Sequence, residues 1–228
     1  MAVHVQRHED DHRAEDRIRY PERDLESHVQ PPSHSAALDP PPIPMTVIWC
    51  WINLLPFTID NQRQAEAIQE DPINKPWRPL PSGRLTPSQA RNLMLVLYPV
   101  AVLTNFLSGG LKQSIMLLLL GFWYNDCGGA DRNCLLRNPI NGAGFICYTS
   151  GAMEVAYGSA IPLSGPLLRW SAVVGATVAS TVQTQDMYDQ AGDSVRHRQT
   201  IPSFLDDAMG RWTIAIPVVM WSWVCPWL

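Results

Sequence analysis

The amino-acid sequence predicts an all-α protein, a multi-span transmembrane helical bundle. Its charged residues are clustered, and long apolar stretches separate the clusters. A soluble helical bundle would place a polar face on each helix, whereas the stretch 114–124 has none. Tryptophan and tyrosine residues stand at several ends of the apolar stretches, as they do at membrane–water interfaces.

Two regions of the chain differ sharply in composition. Residues 1–42 combine charged residues, histidine and proline with few large apolar side chains. Such a segment buries too little apolar surface to offset the entropy lost on ordering, so we predict a disordered N-terminal tail. Residues 43–228 contain the apolar stretches and are predicted to form the transmembrane domain.

Six apolar stretches are long enough to be membrane spans if their ends reach the interface. They are residues 43–59, 92–108, 111–124, 139–160, 167–185 and 212–228.

The number of spans places three loops on the same face of the membrane, 60–91, 125–138 and 186–211. These loops carry most of the basic residues that follow the tail, so this face is predicted to be cytoplasmic. The two most acidic segments of the domain therefore lie on one face. We expect an integral membrane protein of the endoplasmic reticulum with these loops facing the cytoplasm.

The clearer acidic motif directly follows the fifth span. Asp186, Asp189 and Asp193 are spaced so that they share one face of a helix. Three stacked carboxylates repel one another unless a cation lies between them, and Mg²⁺ prefers such oxygen ligands. Arg196 and Arg198 follow, and arginine donates paired hydrogen bonds to phosphate. A solvated acidic helix end is the alternative, but charge next to an apolar span is usually functional.

The other acidic motif follows the first span and is the first motif along the chain; the motif at residues 186–193 is the second. Glu70 and Asp71 end a polar helical segment that Pro72 is predicted to terminate. Carboxylates beside cations on a stiff, proline-rich loop suit a second Mg²⁺ and the diphosphate that it carries. The cations predicted to bind this diphosphate are Lys75, Arg78 and Arg84.

Two segments resemble the signature loops of the UbiA superfamily of prenyltransferase-like membrane proteins. They are residues 71–84 and residues 186–193 with the following Thr200-Ile201-Pro202. The resemblance implies two Mg²⁺ ions that hold an isoprenoid diphosphate, whose departure leaves an allylic carbocation in an apolar cavity. It adds Asn61 to the expected diphosphate ligands. It also implies a catalytic role for the metal-binding carboxylates Asp186, Asp189 and Asp193.

The first motif departs from the usual family pattern. Asn61-Gln62 opens it, Ala67 stands where an aspartate is expected, and Glu70-Asp71 closes it. This form is similar to that of fungal UbiA-type membrane sesquiterpene cyclases. The expected function is therefore Mg²⁺-dependent ionisation of farnesyl diphosphate and cyclisation to a sesquiterpene. The alternatives are prenyl transfer to an aromatic or other acceptor, and a non-catalytic homologue that only binds its ligand.

The family fold has nine membrane helices, of which the sequence predicts six. We therefore expect a chain truncated at both ends, without the first helix and the last two. The expected partners are an isoprenoid diphosphate and the lipid bilayer, and no nucleic acid is expected.

Aromatic side chains in the spans are candidates for guiding a carbocation through cation–π contact, although most are expected to pack or to face lipid. The candidates are Trp49, Trp51, Phe57, Phe122, Trp123, Tyr148, Tyr157 and Trp212. Glu154 lies in the middle of a span. It is either a proton acceptor for the final cation, a partner of Ser150, or a side chain that extends to the interface.

Overall fold

The structure is a computed structural model that describes residues 43–158 and 164–227. The predicted disordered tail lies outside the described residues. Within them the helices are α1 (Ile43–Arg63), α2 (Ala65–Asn74), α3 (Pro87–Ser108), α4 (Leu111–Asn125), α5 (Cys134–Tyr157), α6 (Gly165–Thr181), α7 (Thr184–Val195), α8 (Ile201–Phe204) and α9 (Asp207–Val224). A 3₁₀ turn, Cys225–Trp227, follows α9.

The all-α prediction is confirmed, because the described residues form helices and contain no strand. Helices α1, α3, α4, α5, α6 and α9 cover the six predicted apolar stretches in order. Among the described helices, α1 and α3 are long and apolar enough to cross a membrane, judged by length and composition alone. Helix α4 has 15 residues and α6 has 17, so a bilayer crossing by all six stays a prediction.

Two predicted boundaries were wrong. The stretch 167–185 is divided between α6 and α7, because the amides of Gln185 and Asp186 bond to carbonyls three residues earlier and tighten the backbone there. Pro72 lies inside α2 instead of ending it. Since Pro72 is in the last turns of the helix, its missing amide removes only one intrahelical hydrogen bond.

Side-chain caps fix where the long helices begin. Thr86 and Gln89 form a reciprocal capping box at the start of α3. Asn133 accepts a hydrogen bond from the Leu136 amide at the start of α5, and Asp206 caps α9 in the same way. Each of these helices begins five residues before its predicted apolar stretch.

The long helices pack as neighbours, α1 against α3 and α5, α5 against α4 and α6, and α6 against α9. Helix α2 packs against α7 and lies beyond the end of α1. Large apolar side chains remain exposed on the outer faces, including Phe106 (70%) and Leu107 (77%). Apolar exposure on this scale suits contact with lipid rather than with water.

Trp49 closes the bundle at the end away from α2. Its side chain is fully buried, stacks edge-on against Tyr148 with ring centroids 6.3 Å apart, and donates a hydrogen bond from Nε1 to the Gly109 carbonyl at 3.2 Å. The indole fits because Gly110 and Gly151 have no side chain. A Cβ at Gly151 would lie 2.2 Å from the Trp49 ring.

Glu154 belongs to the same end of the bundle. Its Oε1 accepts a hydrogen bond from the Gly110 amide at 3.0 Å, and its Oε2 accepts one from Gln113 Nε2 at 3.1 Å. A carboxylate there also stabilises the positive end of the α4 dipole. Ser150 bonds instead to the Ile146 carbonyl of its own helix. The described contacts therefore give Glu154 a capping role.

The Gly151→Ala variant tests the closing role of Trp49. The added methyl group overlaps the buried indole, so we expect a loss of about 1–3 kcal/mol in unfolding free energy. Thermal unfolding in detergent measures it. Gly144→Ala is the matched control on the same helix, because an added Cβ there meets no atom within 4 Å. Equal melting temperatures for the two variants would contradict the packing described.

Candidate active site

Helices α2 and α7 are joined through the side chain of Asn74. Its Nδ2 donates to the Asp189 carbonyl at 2.8 Å, and its Oδ1 accepts from the Gly192 amide at 3.0 Å. The amide group occupies the space beside Gly192, where a Cβ would lie 2.3 Å from Asn74 Nδ2. The two acidic motifs therefore lie side by side, whereas the number of spans predicted only that they share one face of the membrane.

A polar cavity of about 100 Å³ lies between the two motifs. Nine of the predicted site residues line it: Asn61, Glu70, Asp71, Lys75, Arg78, Asp186, Asp189, Arg196 and Arg198. Two predicted residues lie elsewhere. Asp193 is buried behind Arg198. Arg84 is exposed and bonds to Ser82 and to the Trp77 carbonyl, so it holds the loop together instead of lining the cavity.

Two of the three acids of α2, Glu70 and Asp71, are buried and paired with arginines. Asp71 Oδ1 accepts a hydrogen bond from Arg78 Nη1 at 2.7 Å, and both residues belong to the first motif. Glu70 Oε2 accepts one from Arg196 Nη1 at 3.0 Å, and Arg196 follows the second motif. These pairs neutralise carboxylates that are only 1–3% exposed, and the Glu70–Arg196 pair also connects the two motifs.

The acids of α7 that line the cavity have basic partners from other elements. Lys75 Nζ lies 2.5 Å from Asp189 Oδ2, which connects the first motif to the second. Asp186 forms an ion pair with Arg137 at the start of α5, and both side chains are 5% exposed. Burial raises the pKa of the Asp186 carboxyl above its ordinary value, although the Arg137 guanidinium opposes this shift.

Asp131, in the loop between α4 and α5, holds the arginines that follow α7. Its carboxylate accepts a hydrogen bond from Arg196 Nη2 at 3.0 Å and another from Arg198 Nε at 3.1 Å. Arg196 Nε also lies 2.9 Å from Asp131 Oδ1. Arg198 Nη1 also donates to Asp193 at 3.2 Å. Burial raises the pKa of Asp193 to about 6, against the opposing charge of Arg198.

The donor set of the cavity fits a hard divalent cation. Asp71 Oδ2, in the cavity wall, is buried and accepts no hydrogen bond, so it has lone pairs available to a metal ion. Asp193 Oδ2, outside the cavity lining, is also buried and accepts no hydrogen bond. Among the residues that the structure describes, however, no three acidic, histidine or cysteine side chains are grouped closely enough to hold a metal. The ion pairs keep the carboxylates apart, so metal binding requires that some basic side chains change partner.

Three residues of this site were missed by sequence reasoning. Arg137, Asp131 and Asn74 all lie in or beside the loops of the predicted cytoplasmic face. Arg137 had a detectable signal, because it is a basic residue two positions before an apolar span. Nothing in the local sequence marks Asp131 or Asn74, whose partners are 65 to 118 residues away.

An apolar cavity of about 320 Å³ adjoins the polar one. It is formed by α1, α3, α4 and α5, and its volume lies in the range of small-molecule sites. Tyr124 and Asn141 line both cavities, so the two cavities are adjacent. The aromatic residues in its wall are Phe57, Tyr98, Tyr124, Phe145 and Tyr148.

The structure therefore shows which of the candidate aromatic residues line the apolar cavity. Phe57 and Tyr148 line the apolar cavity, and Trp49 is buried directly behind Tyr148. The sequence analysis missed Tyr98, Tyr124 and Phe145. The remaining candidates are exposed on the outer surface of the bundle and belong to neither cavity: Trp51, Phe122, Trp123, Tyr157 and Trp212.

Comparison with known proteins agrees with the two motifs and the helical fold. Residues 42–228 match the model of the UbiA prenyltransferase family. The chain belongs to the UbiA prenyltransferase family. Members of this family are membrane-associated, which accounts for the exposed apolar surface and for the two helices long enough to span a bilayer.

Three relatives in the UbiA family have informative names. The chain is 34% identical to fumagillin β-trans-bergamotene synthase of Aspergillus fumigatus, over 77% of this chain and 59% of that protein. It is 29% identical to somaliensene A/B synthase of Streptomyces somaliensis, over 68% of this chain and 50% of that protein. It is 30% identical to a polyprenyl transferase of Hericium erinaceus, over 74% and 57%.

The chain thus spans between half and three-fifths of the length of these UbiA relatives. No solved structure matches it.

Replacing Arg137 with methionine tests the buried ion pair with Asp186. The change leaves a buried carboxylate without its cation, which we expect to cost about 3 kcal/mol or more at about pH 8. The pKa of Asp186 is already raised in the folded protein and should rise further. Asp186 then binds its proton more tightly in the folded state than in the unfolded state. The loss of unfolding free energy therefore becomes smaller as the pH falls.

Thermal unfolding in chelator-containing detergent at about pH 5 and about pH 8 measures this effect. The double variant Arg137→Met/Asp186→Asn is the control, since it removes the titrating group. If the single variant loses the same unfolding free energy at both pH values, removal of Arg137 has not left Asp186 as a buried, unpaired carboxylate.

Proposed function

We propose that this chain ionises farnesyl diphosphate and cyclises the resulting carbocation to a sesquiterpene within the membrane. The observation that carries the proposal is that a charged cavity lies next to an apolar one, with Tyr124 and Asn141 in the walls of both. An isoprenoid diphosphate has the same two parts, an anionic head and a hydrocarbon chain. The head would lie between α2 and α7, and the chain among α1, α3, α4 and α5.

Charge balance supports Mg²⁺ as the cofactor. The ion pairs around the polar cavity involve six carboxylates and five basic side chains, which leaves one net negative charge. A diphosphate ester adds about three negative charges at neutral pH. Two divalent cations would bring the buried assembly close to neutrality, which a site of low dielectric requires. The proposed metal ligands are Glu70, Asp71, Asp186, Asp189 and Asp193.

Bound Mg²⁺ would supply positive charge to the diphosphate as its carbon–oxygen bond breaks. The basic side chains of the cavity would hold the phosphate oxygens, since each can exchange its present carboxylate partner for phosphate. Lys75 and Arg78 would act from the first motif, and Arg196 and Arg198 from the second. Asn61 lines the same cavity and would donate from its amide. Arg84 is excluded from this set by its place on the exposed loop.

The apolar cavity would protect the carbocation from water. Its walls are aliphatic and aromatic, and the rings of Phe57, Tyr98 and Tyr124 can stabilise a cation through their faces. A carbon–hydrogen bond next to the cation then breaks, its electron pair forms the final double bond, and the released diphosphate accepts the proton. Asp186, Asp189 and Asp193 would be catalytic through the metal and arginine contacts that hold the departing diphosphate.

Two of the named relatives are terpene synthases, which favours cyclisation for this chain. The polyprenyl transferase relative keeps transfer to an acceptor as the second candidate function. A homologue that binds the ligand without turnover is the third candidate. We also propose that the polar cavity faces the cytoplasm, in the membrane of the endoplasmic reticulum, because the loops around it carry most of the basic residues that follow the tail.

The first test is turnover by membranes from yeast that express the chain. They are incubated with farnesyl diphosphate, with and without Mg²⁺, and the volatile products are analysed by gas chromatography–mass spectrometry. We expect a Mg²⁺-dependent sesquiterpene that Asp189→Asn reduces by about two orders of magnitude. Asp207→Asn is the matched control, because that carboxylate is exposed and pairs with Arg211 outside both cavities.

An absence of product from well-expressed, membrane-inserted protein would overturn cyclisation by this chain. Addition of aromatic acceptors to the same membranes then tests the transferase. If neither reaction occurs, Mg²⁺-dependent binding of farnesyl diphosphate would identify the non-catalytic homologue.

The Gly144→Leu variant tests whether the apolar cavity holds the hydrocarbon chain. Gly144 lines the cavity, and an added Cβ meets no atom within 4 Å, so a leucine would fill space without disturbing the helix. We expect product formation to fall by about tenfold or more, since displaced methylene groups lose about 0.8 kcal/mol each. Gly165→Leu places the same side chain on an exposed helix start. Equal product from both variants would show that the chain binds elsewhere.

A further inference from the structure

Asp60 is a buried carboxylate that neither the proposed metal site nor the proposed diphosphate site uses. It lies near the end of α1, is 2% exposed, and is not among the residues that line the polar or the apolar cavity. Its Oδ2 accepts one hydrogen bond from the Tyr98 hydroxyl on α3 and another from Asn125 Nδ2 at the end of α4, each at 3.3 Å. Asp60 therefore joins three helices from behind the cavity walls.

The contacts of Asp60 place it at the level where the two cavities meet. Along α1 it directly precedes Asn61, which lines the polar cavity. Its partner Asn125 directly follows Tyr124, which lies in the walls of both cavities. Successive residues of a helix advance by only about 1.5 Å. Tyr98, which lines the apolar cavity, thus has its hydroxyl at the end of that cavity next to the charged site.

The acids around Asp60 exceed their basic partners by one. Arg63 Nη2 lies 2.6 Å from Asp60 Oδ1 and 3.2 Å from Asp126 Oδ1. Within the residues that the structure describes, Arg63 is the only basic side chain that pairs with either acid. A guanidinium at this distance favours the ionised form of Asp60. Because two carboxylates share one arginine, a net negative charge remains beside the boundary of the cavities.

A structural role explains these contacts only in part. The hydrogen bonds from Tyr98 and Asn125 could connect the three helices through a neutral amide, which is less costly to bury than a carboxylate. A fixed negative charge at a reaction site stabilises positive charge that develops there. In the proposed reaction, that positive charge is the allylic carbocation left when the diphosphate departs.

We propose that Asp60 is a positioning residue that makes Tyr98 a stronger stabiliser of this carbocation. The inference rests on the proposed function. A phenol that donates a hydrogen bond to a carboxylate gains electron density in its ring, and this strengthens the attraction between the ring and a cation. The same hydrogen bond fixes the ring before the positive charge forms, so the ring need not reorganise during the reaction.

Tyr98 differs in this respect from the other tyrosines of the apolar cavity. Tyr124 and Tyr148 also line it, but the described contacts give neither hydroxyl a carboxylate partner. The carbocation first forms next to the charged site, at the end of the cavity that the Tyr98 hydroxyl reaches. We therefore expect the contact between Asp60 and Tyr98 to act on the ionisation step.

The test measures the single-turnover rate constant for consumption of farnesyl diphosphate by the purified chain in detergent with Mg²⁺. The dependence of this rate constant on protein concentration also gives the dissociation constant of the substrate. Asp60→Asn keeps the shape of the side chain and a hydrogen-bond acceptor but removes the charge. We expect the rate constant to fall by about tenfold, while the dissociation constant changes by less than about twofold.

Tyr98→Phe keeps the ring, removes only the hydroxyl, and should slow the reaction to a similar extent. Adding Asp60→Asn to Tyr98→Phe should then lower the rate constant by no more than about twofold further, because the carboxylate acts through that hydroxyl. If Asp60→Asn has its full effect without the hydroxyl, or weakens binding instead of slowing the reaction, the inference is overturned. If Asp60→Asn does not fold, a wild-type rate constant in Tyr98→Phe overturns it.

Asp207→Asn and Tyr157→Phe are the matched controls, because both residues are exposed and lie outside both cavities. Each should keep the wild-type rate constant. If the wild-type chain consumes farnesyl diphosphate but the Asp60 and Tyr98 variants depart from the expected pattern, the inference fails alone and the proposed function stands. If the wild-type chain consumes none, the proposed function fails and the inference fails with it.

Discussion

The close approach of α2 to α7 is the constraint on which the rest of the site depends. It requires a glycine at position 192, because the Asn74 amide occupies the place of a side chain there. Asn74 then provides hydrogen bonds to the α7 backbone that bring the two motifs into contact. Only at this separation can Lys75 reach Asp189, and only then can Arg196 reach Glu70. The charged cavity is thus a consequence of one small contact between helices.

Buried carboxylates must be neutralised, and here basic side chains from three different segments do so. The same pairing explains why the acids are not already grouped as a metal site. In the proposed reaction, metal and diphosphate would arrive with complementary charges. The carboxylates would then bind the metal, and the basic side chains would bind the phosphate oxygens. This exchange of partners costs little free energy in a buried site, because each partner is replaced by a group of the same charge.

The position of the two cavities along the helices connects chemistry with the membrane. Helices α1, α4 and α5 contribute to both cavities, so a ligand with a charged head and an apolar chain would lie along the helix axes. The charged groups stay at the ends of the apolar stretches, where ionisation is tolerated. Deeper in the bundle, the buried side chains of Asn53, Asn105 and Ser114 form hydrogen bonds with one another.

The sequence by itself determined the all-α class, the order of the six apolar helices and the two acidic motifs. These features are local, because hydrophobicity, helical spacing and capping residues depend on neighbours within a few turns. Only the tertiary structure decided that Arg137 pairs with Asp186, that Asp131 holds two arginines, and that Arg84 lies outside the cavity. It also decided which aromatic rings face the apolar cavity. Such assignments depend on distances between helices far apart in sequence, and helical periodicity does not encode those distances.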